Sequence, residues 1–112
     1  MEQAARELHA LGAANVLVKG GHLTGKKSTD ILFDGNTVHY FPAERVFTSN
    51  THGTGCSYAS AIAALLAQGE PLLTAVERSK TFISTAIRLA RSLGKGHSPV
   101  NHFMAARELL QL

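Results

Sequence analysis

Apolar residues recur at helical spacing over residues 2–12, where Ala4, Leu8 and Leu11 share one face and Gly12 supplies a C-terminal stop. The run Asn15-Val16-Leu17-Val18-Lys19-Gly20-Gly21 comes next, and its centre is apolar without alternation. That pattern predicts a strand buried on both faces. Two β-prone runs, Asp30-Ile31-Leu32-Phe33 and Thr37-Val38-His39-Tyr40-Phe41, flank Asp34-Gly35-Asn36 and predict a hairpin. Pro42 marks where pairing with a further strand becomes awkward. Beyond a polar stretch from Thr48 to Gly55, an Ala-rich helix is expected to run to about Gln68, with Gly69 as its stop. Pro71 suits a first helical turn. Leu72, Val76, Ser79, Ile83, Ala86, Ile87 and Ala90 then hold one face of a long helix ending near Gly94. Gly94-Lys95-Gly96-His97-Ser98-Pro99 reads as a loop, and a last helix is expected from Asn101, using Phe103, Ala106 and Leu110. The inventory is four helices, one parallel-type strand and one hairpin, without internal repeats. A strand buried on both faces needs neighbours, so the pattern predicts part of a larger sheet, or assembly with another chain.

Bulk properties narrow the class. A chain of 112 residues forms one domain, which should bury roughly two-thirds of its unfolded surface. An apolar fraction of 45% and a charged fraction of 17% are those of a folded globular protein. Eleven Lys and Arg against eight Asp and Glu leave a formal charge of +3, but only Lys26-Lys27 are adjacent basic residues. The basic residues form no stripe interleaved with aromatics, which argues against a nucleic-acid surface. Cys56 is the single cysteine, so an intramolecular disulfide is excluded and a reducing compartment is expected. No apolar run approaches the roughly 18 residues of a membrane span. The opening Met-Glu-Gln-Ala-Ala-Arg is not a signal peptide. A cytoplasmic protein is the resulting expectation.

The segment Asn50-Thr51-His52-Gly53-Thr54-Gly55-Cys56 leads straight into the Ala-rich helix. Two glycines let the backbone approach an anion closely, and a helix start aims unpaired N–H groups and the positive end of its dipole at the same place. Such geometry suits a phosphate, or the charge that develops in phosphoryl transfer. A thiol at a helix start is biased toward the thiolate. Cys56 in that form can take the proton of a substrate hydroxyl as it attacks a γ-phosphate. The segment is not a Walker A loop, since no Gly-Lys-Ser/Thr follows the glycines, and it lacks the third glycine of a dinucleotide fingerprint. Without further context, a glycine-containing turn before a small buried cysteine is an equally good reading.

Over nearly its whole length the chain resembles the hydroxymethylpyrimidine/phosphomethylpyrimidine kinases. The resemblance is carried by AARELHALGAANVLVKGGHL, DILFDGNTVHYF, NTHGTGC with SAIAALLAQG, AVERSK and LGKGHSPVNHF, in the family's order and spacing. It implies an α/β fold of the ribokinase-like type, a three-layer arrangement with a mostly parallel sheet flanked by helices and a β-hairpin. Residues 1–112 would be its C-terminal part, beginning at a helix late in the fold. The implied activity is ATP-dependent phosphorylation of the hydroxymethyl group of an aminopyrimidine, then of its monophosphate, in thiamine biosynthesis, with Mg²⁺ accompanying ATP. On this resemblance Gly53, Thr54 and Gly55 correspond to an anion hole and Cys56 to the catalytic base, a position where many ribokinase-like relatives carry Asp. Lys19 and Lys80 correspond to lysines on the nucleotide side. Ser57, Tyr58 and Ser98 depart from residues common in the family. Family members are well over twice as long, and their N-terminal region holds most of the pyrimidine pocket.

Other residues invite other readings. Lys19 is also a lysine at a sheet edge, and Lys80 one on an amphipathic helix. His52 lies four residues before Cys56, but no third orienting group completes a Cys–His hydrolase. His22, His97 and His102 do not have the spacing of a zinc set and read as surface or hydrogen-bonded histidines. Asn101 and His102 are expected to fix the loop before the last helix. Two alternatives stand beside the pyrimidine kinase: a pyridoxal kinase of the same branch, and a non-catalytic fragment that assembles through a sheet edge, with itself or with the rest of the fold.

Overall fold

The computed structural model describes residues 1–21 and 23–110, which fall into two compact units divided between Arg45 and Val46. In the first unit, helix α1 (Glu2–Ala10) packs on a three-stranded sheet of β1 (Val16–Val18), β2 (Lys27–Phe33) and β3 (Val38–Glu44). Both pairings are antiparallel, with Val16 opposite Phe33 in the first and Phe33 opposite Val38 in the second. The run around residues 15–21 therefore forms a short strand whose pairing with β2 is antiparallel. The strand buried on both faces is β2, where Asp30, Ile31, Leu32 and Phe33 are all buried in succession. Ile31 and Phe33 pack with Ala5 and Val16 under α1, against Val18 and Val38. Burial of this kind contributes about 1.5–3 kcal/mol per large side chain.

The face of α1 also differs from expectation. Ala5 is buried, whereas Leu8 and Leu11 are exposed. The reason is Phe33, which receives the His9 ring edge-on at 5.1 Å and the Arg6 guanidinium over its face at 4.8 Å. These contacts turn Ala5, Arg6 and His9 toward the sheet and leave the leucines outside. The hairpin forms where expected but is longer, and Pro42 sits within β3 at the outer edge of the sheet, where a missing N–H is tolerated.

The hairpin turn is fastened by Asp34. Its Oδ1 accepts from the Asn36 and Thr37 amides at 2.9 and 2.7 Å, and Oδ2 bonds the His39 ring at 3.0 Å. The Thr37 amide first, then the His39 ring and the Asn36 amide, pull the carboxyl from 3.8 down to about 2. Because the folded value is the lower one, this contribution to stability is present at neutral pH. It is lost as pH falls from about 3.8 through about 2. Carbon-detected NMR titration of the Asp34 carboxyl should give a midpoint near 2; a midpoint near 3.8 would mean the turn is not held this way.

The second unit contains α2 (Thr54–Ala67), α3 (Leu72–Arg88) and α4 (His102–Leu110). Gly69, at φ 89°, follows the end of α2 as anticipated. Tyr58 is the buried anchor of α2, so the departure at this position fills the core. Ala75, Val76, Ser79, Lys80, Ile83, Thr85 and Ala86 form the buried face of α3. That helix stops at Arg88, earlier than its apolar spacing suggests, because Asn101 takes carbonyls of its last turn. The Asn101 amide donates to Ala86 O at 2.9 Å and Nδ2 to Leu89 O at 3.2 Å. In α4 the buried residue is Ala105, while Phe103 and Leu110 are exposed. Among the described residues, no helix is long and apolar enough to cross a membrane.

Candidate active site

The chemistry-bearing segment resolves into a turn and a helix start. Gly53 is the N-cap of α2 at φ 86°, a left-handed conformation that side chains with a Cβ adopt only with strain. The Thr54 hydroxyl and amide both donate to Thr51 O, at 2.6 and 3.2 Å, which tightens the turn. Regular helical bonding begins with Ser57 N–H to Gly53 O at 3.1 Å. The amides of Gly55 and Cys56 precede that bond and have no intrahelical acceptor. No side chain caps the helix and its first turn holds no acidic residue, so the positive end of the dipole is not neutralised from within. Thr54 contributes its amide to the turn and leaves the donors at Gly55 and Cys56. Cys56 is a free, exposed thiol whose Sγ donates to Gly53 O at 3.3 Å.

Two segments distant in sequence support this start. His52 forms a parallel bridge with Pro99: its amide donates to Ser98 O and its carbonyl accepts from Val100, both at 3.1 Å. The Ser98 hydroxyl is buried and bonds both the amide and the carbonyl of Leu93, at 2.7 and 2.9 Å, closing the preceding loop. Asn50 Nδ2 donates to Ser92 Oγ, and His97 Nδ1 donates to Ser49 O. Asn101 caps α4 by accepting from the Met104 amide at 3.0 Å, which gives it the loop-fixing role expected. His102 Nε2 lies 2.5 Å from Ser57 Oγ, joining the first turns of α2 and α4. The NTHGTGC and PVNHF segments are therefore one structural unit. A cavity of about 350 Å³ opens beside them, lined by Cys56, Ser57, Ser60, Ala61, Phe82 and His102.

The two lysines occupy different settings. Lys80, which reads in the sequence either as a nucleotide-side lysine or as a lysine on an amphipathic helix, is buried at 8% exposure on α3. Lys19 is exposed and directly follows β1 in the first unit. Sequence reasoning missed the groups that fix the loop after Lys19. Buried Asp30 accepts from the Gly20 amide at 2.8 Å, and Arg45 donates to carbonyls in the same loop. An acid inside an apolar β-run was the available signal for Asp30; nothing local distinguishes Arg45. The His52 backbone is built into the bridge, and its ring makes no hydrogen bond to Cys56 among the described residues. His22 lies outside the described residues. Among those described, no three His, Cys, Asp or Glu side chains converge.

Comparison with known proteins gives a consistent set of likenesses. Residues 1–101 match the family model for phosphomethylpyrimidine kinase. The chain is 59% identical over 109 residues to the thiamine biosynthesis bifunctional protein ThiED of Geobacter sulfurreducens, covering 97% of this chain and 22% of that one. It is 49% identical over 105 residues to the hydroxymethylpyrimidine/phosphomethylpyrimidine kinase of Rhizobium meliloti, covering 92% of this chain and 40% of that one. Among solved structures, an ADP complex of Bacillus subtilis pyridoxal kinase matches with a TM-score of 0.90 at 37% identity, covering 96% of this chain and 42% of that one. Staphylococcus aureus pyridoxal kinase with AMP-PCP and pyridoxal matches with a TM-score of 0.88 at 35% identity, covering 91% and 38%. The chain has the α/β architecture of that part of the ribokinase-like pyridoxal kinases. It spans only 22% to 42% of the length of these relatives.

Proposed function

The chain belongs to the phosphomethylpyrimidine kinase family, and on that premise we propose that it is the C-terminal part of an ATP-dependent kinase. Its substrates are 4-amino-5-hydroxymethyl-2-methylpyrimidine and the corresponding monophosphate, in thiamine biosynthesis. The observation that carries this reading is the open start of α2. There the left-handed Gly53, the donors of Gly55 and Cys56 and the exposed Cys56 thiol meet in one turn.

In the proposed reaction the substrate hydroxyl oxygen attacks the γ-phosphorus of ATP. Its proton passes to the Cys56 thiolate, the bond to the β-phosphate oxygen breaks, and ADP leaves. The amides of Gly55 and Cys56 stabilise charge on the transferring phosphoryl group. Lys19 and Lys80 act on the nucleotide side. Mg²⁺ arriving with the nucleotide would supply charge neutralisation at its phosphates.

Pyridoxal is the second reading, favoured by the two solved relatives described above, which are pyridoxal kinases. It offers a hydroxymethyl group on a heteroaromatic ring to the same end of the site. ADP release by the full native polypeptide, with each substrate in turn, separates the two. The pyrimidine should be preferred in kcat/KM by about tenfold or more. The opposite ratio assigns the pyridoxal reading, and release with neither substrate rejects the kinase.

A further inference from the structure

Lys19 is followed by two glycines, the residues least able to hold a backbone in place. The structure nonetheless fixes the chain on both sides of it. On one side Val18 pairs with Ile31. On the other, the Gly20 amide donates to buried Asp30. Beyond Gly20 a single side chain gathers the loop. Arg45 Nε donates to Gly25 O at 2.8 Å, Nη1 to Gly21 O at 2.9 Å, and Nη2 to Gly20 O at 3.2 Å and Lys27 O at 3.3 Å. The Arg45 amide adds a bond to Lys26 O at 2.8 Å. Gly20 O also accepts from Leu23 N–H at 3.1 Å, which closes the turn beneath the guanidinium.

We infer that Arg45 is a positioning residue for the nucleotide-side loop: its guanidinium fixes the Lys19-Gly20-Gly21 backbone so that the lysine is presented to the nucleotide phosphates in one preset geometry. This rests on the nucleotide-side reading of Lys19. The planar five-donor fork suits the task, since it can bond several carbonyls set at different angles at once. A lysine in its place offers a single point of attachment and cannot span Gly20, Gly21, Gly25 and Lys27 together. The consequence falls on binding. Without the fork the two glycines recover their freedom, and the nucleotide must order the loop as it binds.

The test is calorimetric titration of AMP-PCP into the full native polypeptide, comparing Arg45→Ala, Arg45→Lys, Lys19→Met and the double variant Lys19→Met/Arg45→Ala. Both Arg45 variants should weaken AMP-PCP by about tenfold, and free guanidinium should restore affinity to Arg45→Ala but not to Arg45→Lys. The double variant should be little weaker than Lys19→Met alone, because Arg45 acts through the lysine. Arg45→Lys keeps the charge and the stem, so it provides the comparison if Arg45→Ala does not fold. Lower thermal stability with unchanged AMP-PCP affinity in both Arg45 variants, or fully additive losses, would overturn the positioning role alone. Unchanged affinity in Lys19→Met would remove the nucleotide-side reading of this loop, and the proposal with it.

Discussion

Replacing Cys56 by alanine in the full native polypeptide should lower kcat by about 10²–10⁴-fold, the range that a general base contributes, and leave ATP affinity almost unchanged. The thiol is exposed and, among the described residues, its one hydrogen bond is to Gly53 O, so the substitution removes little that holds the fold together. Exposed positions of this kind change stability by no more than about 0.5 kcal/mol. The Gly55 amide does not depend on the side chain that follows it, and the donors at the start of α2 survive. Serine provides the matched control. It preserves size and a hydrogen-bonding group, but its hydroxyl is a far weaker acid than a thiol and supplies no base at neutral pH. Both variants should therefore be slow, with similar KM values for ATP. Steady-state kinetics and a thermal melt decide the matter: full turnover in Cys56→Ala removes the base, and a lost fold would show that Cys56 is structural.

Gly20→Ala is expected to be the most damaging small substitution in the first unit. A Cβ there would lie 2.1 Å from Thr29 O and 3.0 Å from Thr29 C, both backbone atoms of β2. Backbone in the middle strand cannot retreat without disturbing the pairing of Thr29 with Pro42 and the bond from the Gly20 amide to Asp30. A cost of about 3 kcal/mol is expected, at the upper end of overpacking penalties. Gly21 is the control: a Cβ on it meets nothing within 4 Å, and Gly21→Ala should be nearly neutral. Urea denaturation of the two variants makes the comparison, and equal midpoints would contradict the close approach of Gly20 to β2.

The parts of this molecule legible in its sequence are those decided locally. The Asp34-Gly35-Asn36 turn announces itself because Asp34 bonds amides two and three residues away. Gly69 and Gly53 mark the two ends of α2 through their own backbone conformations. The segment from Asn50 to Cys56 is likewise a local device, a turn followed by a helix start. The misread features depend on partners far along the chain. Val16-Leu17-Val18 has the composition of a doubly buried strand, yet burial on both faces belongs to β2, where Asp30 disguises it. The end of α3 is set by Asn101, which no pattern within α3 can reveal. Lys80 resembles any lysine on an amphipathic helix until the packing around α3 is seen. Ser98 and Arg45 act through carbonyls and amides, groups that every residue carries, so sequence alone does not name their partners.

The central claim is that the start of α2 is where phosphate is transferred. A crystal structure of the full native polypeptide with AMP-PCP and the hydroxymethylpyrimidine tests it most directly. The account predicts the γ-phosphate on the amides of Gly55 and Cys56, with the substrate hydroxyl within hydrogen-bond reach of Cys56 Sγ. A γ-phosphate bound elsewhere, or a hydroxyl turned away from the thiol, would contradict it.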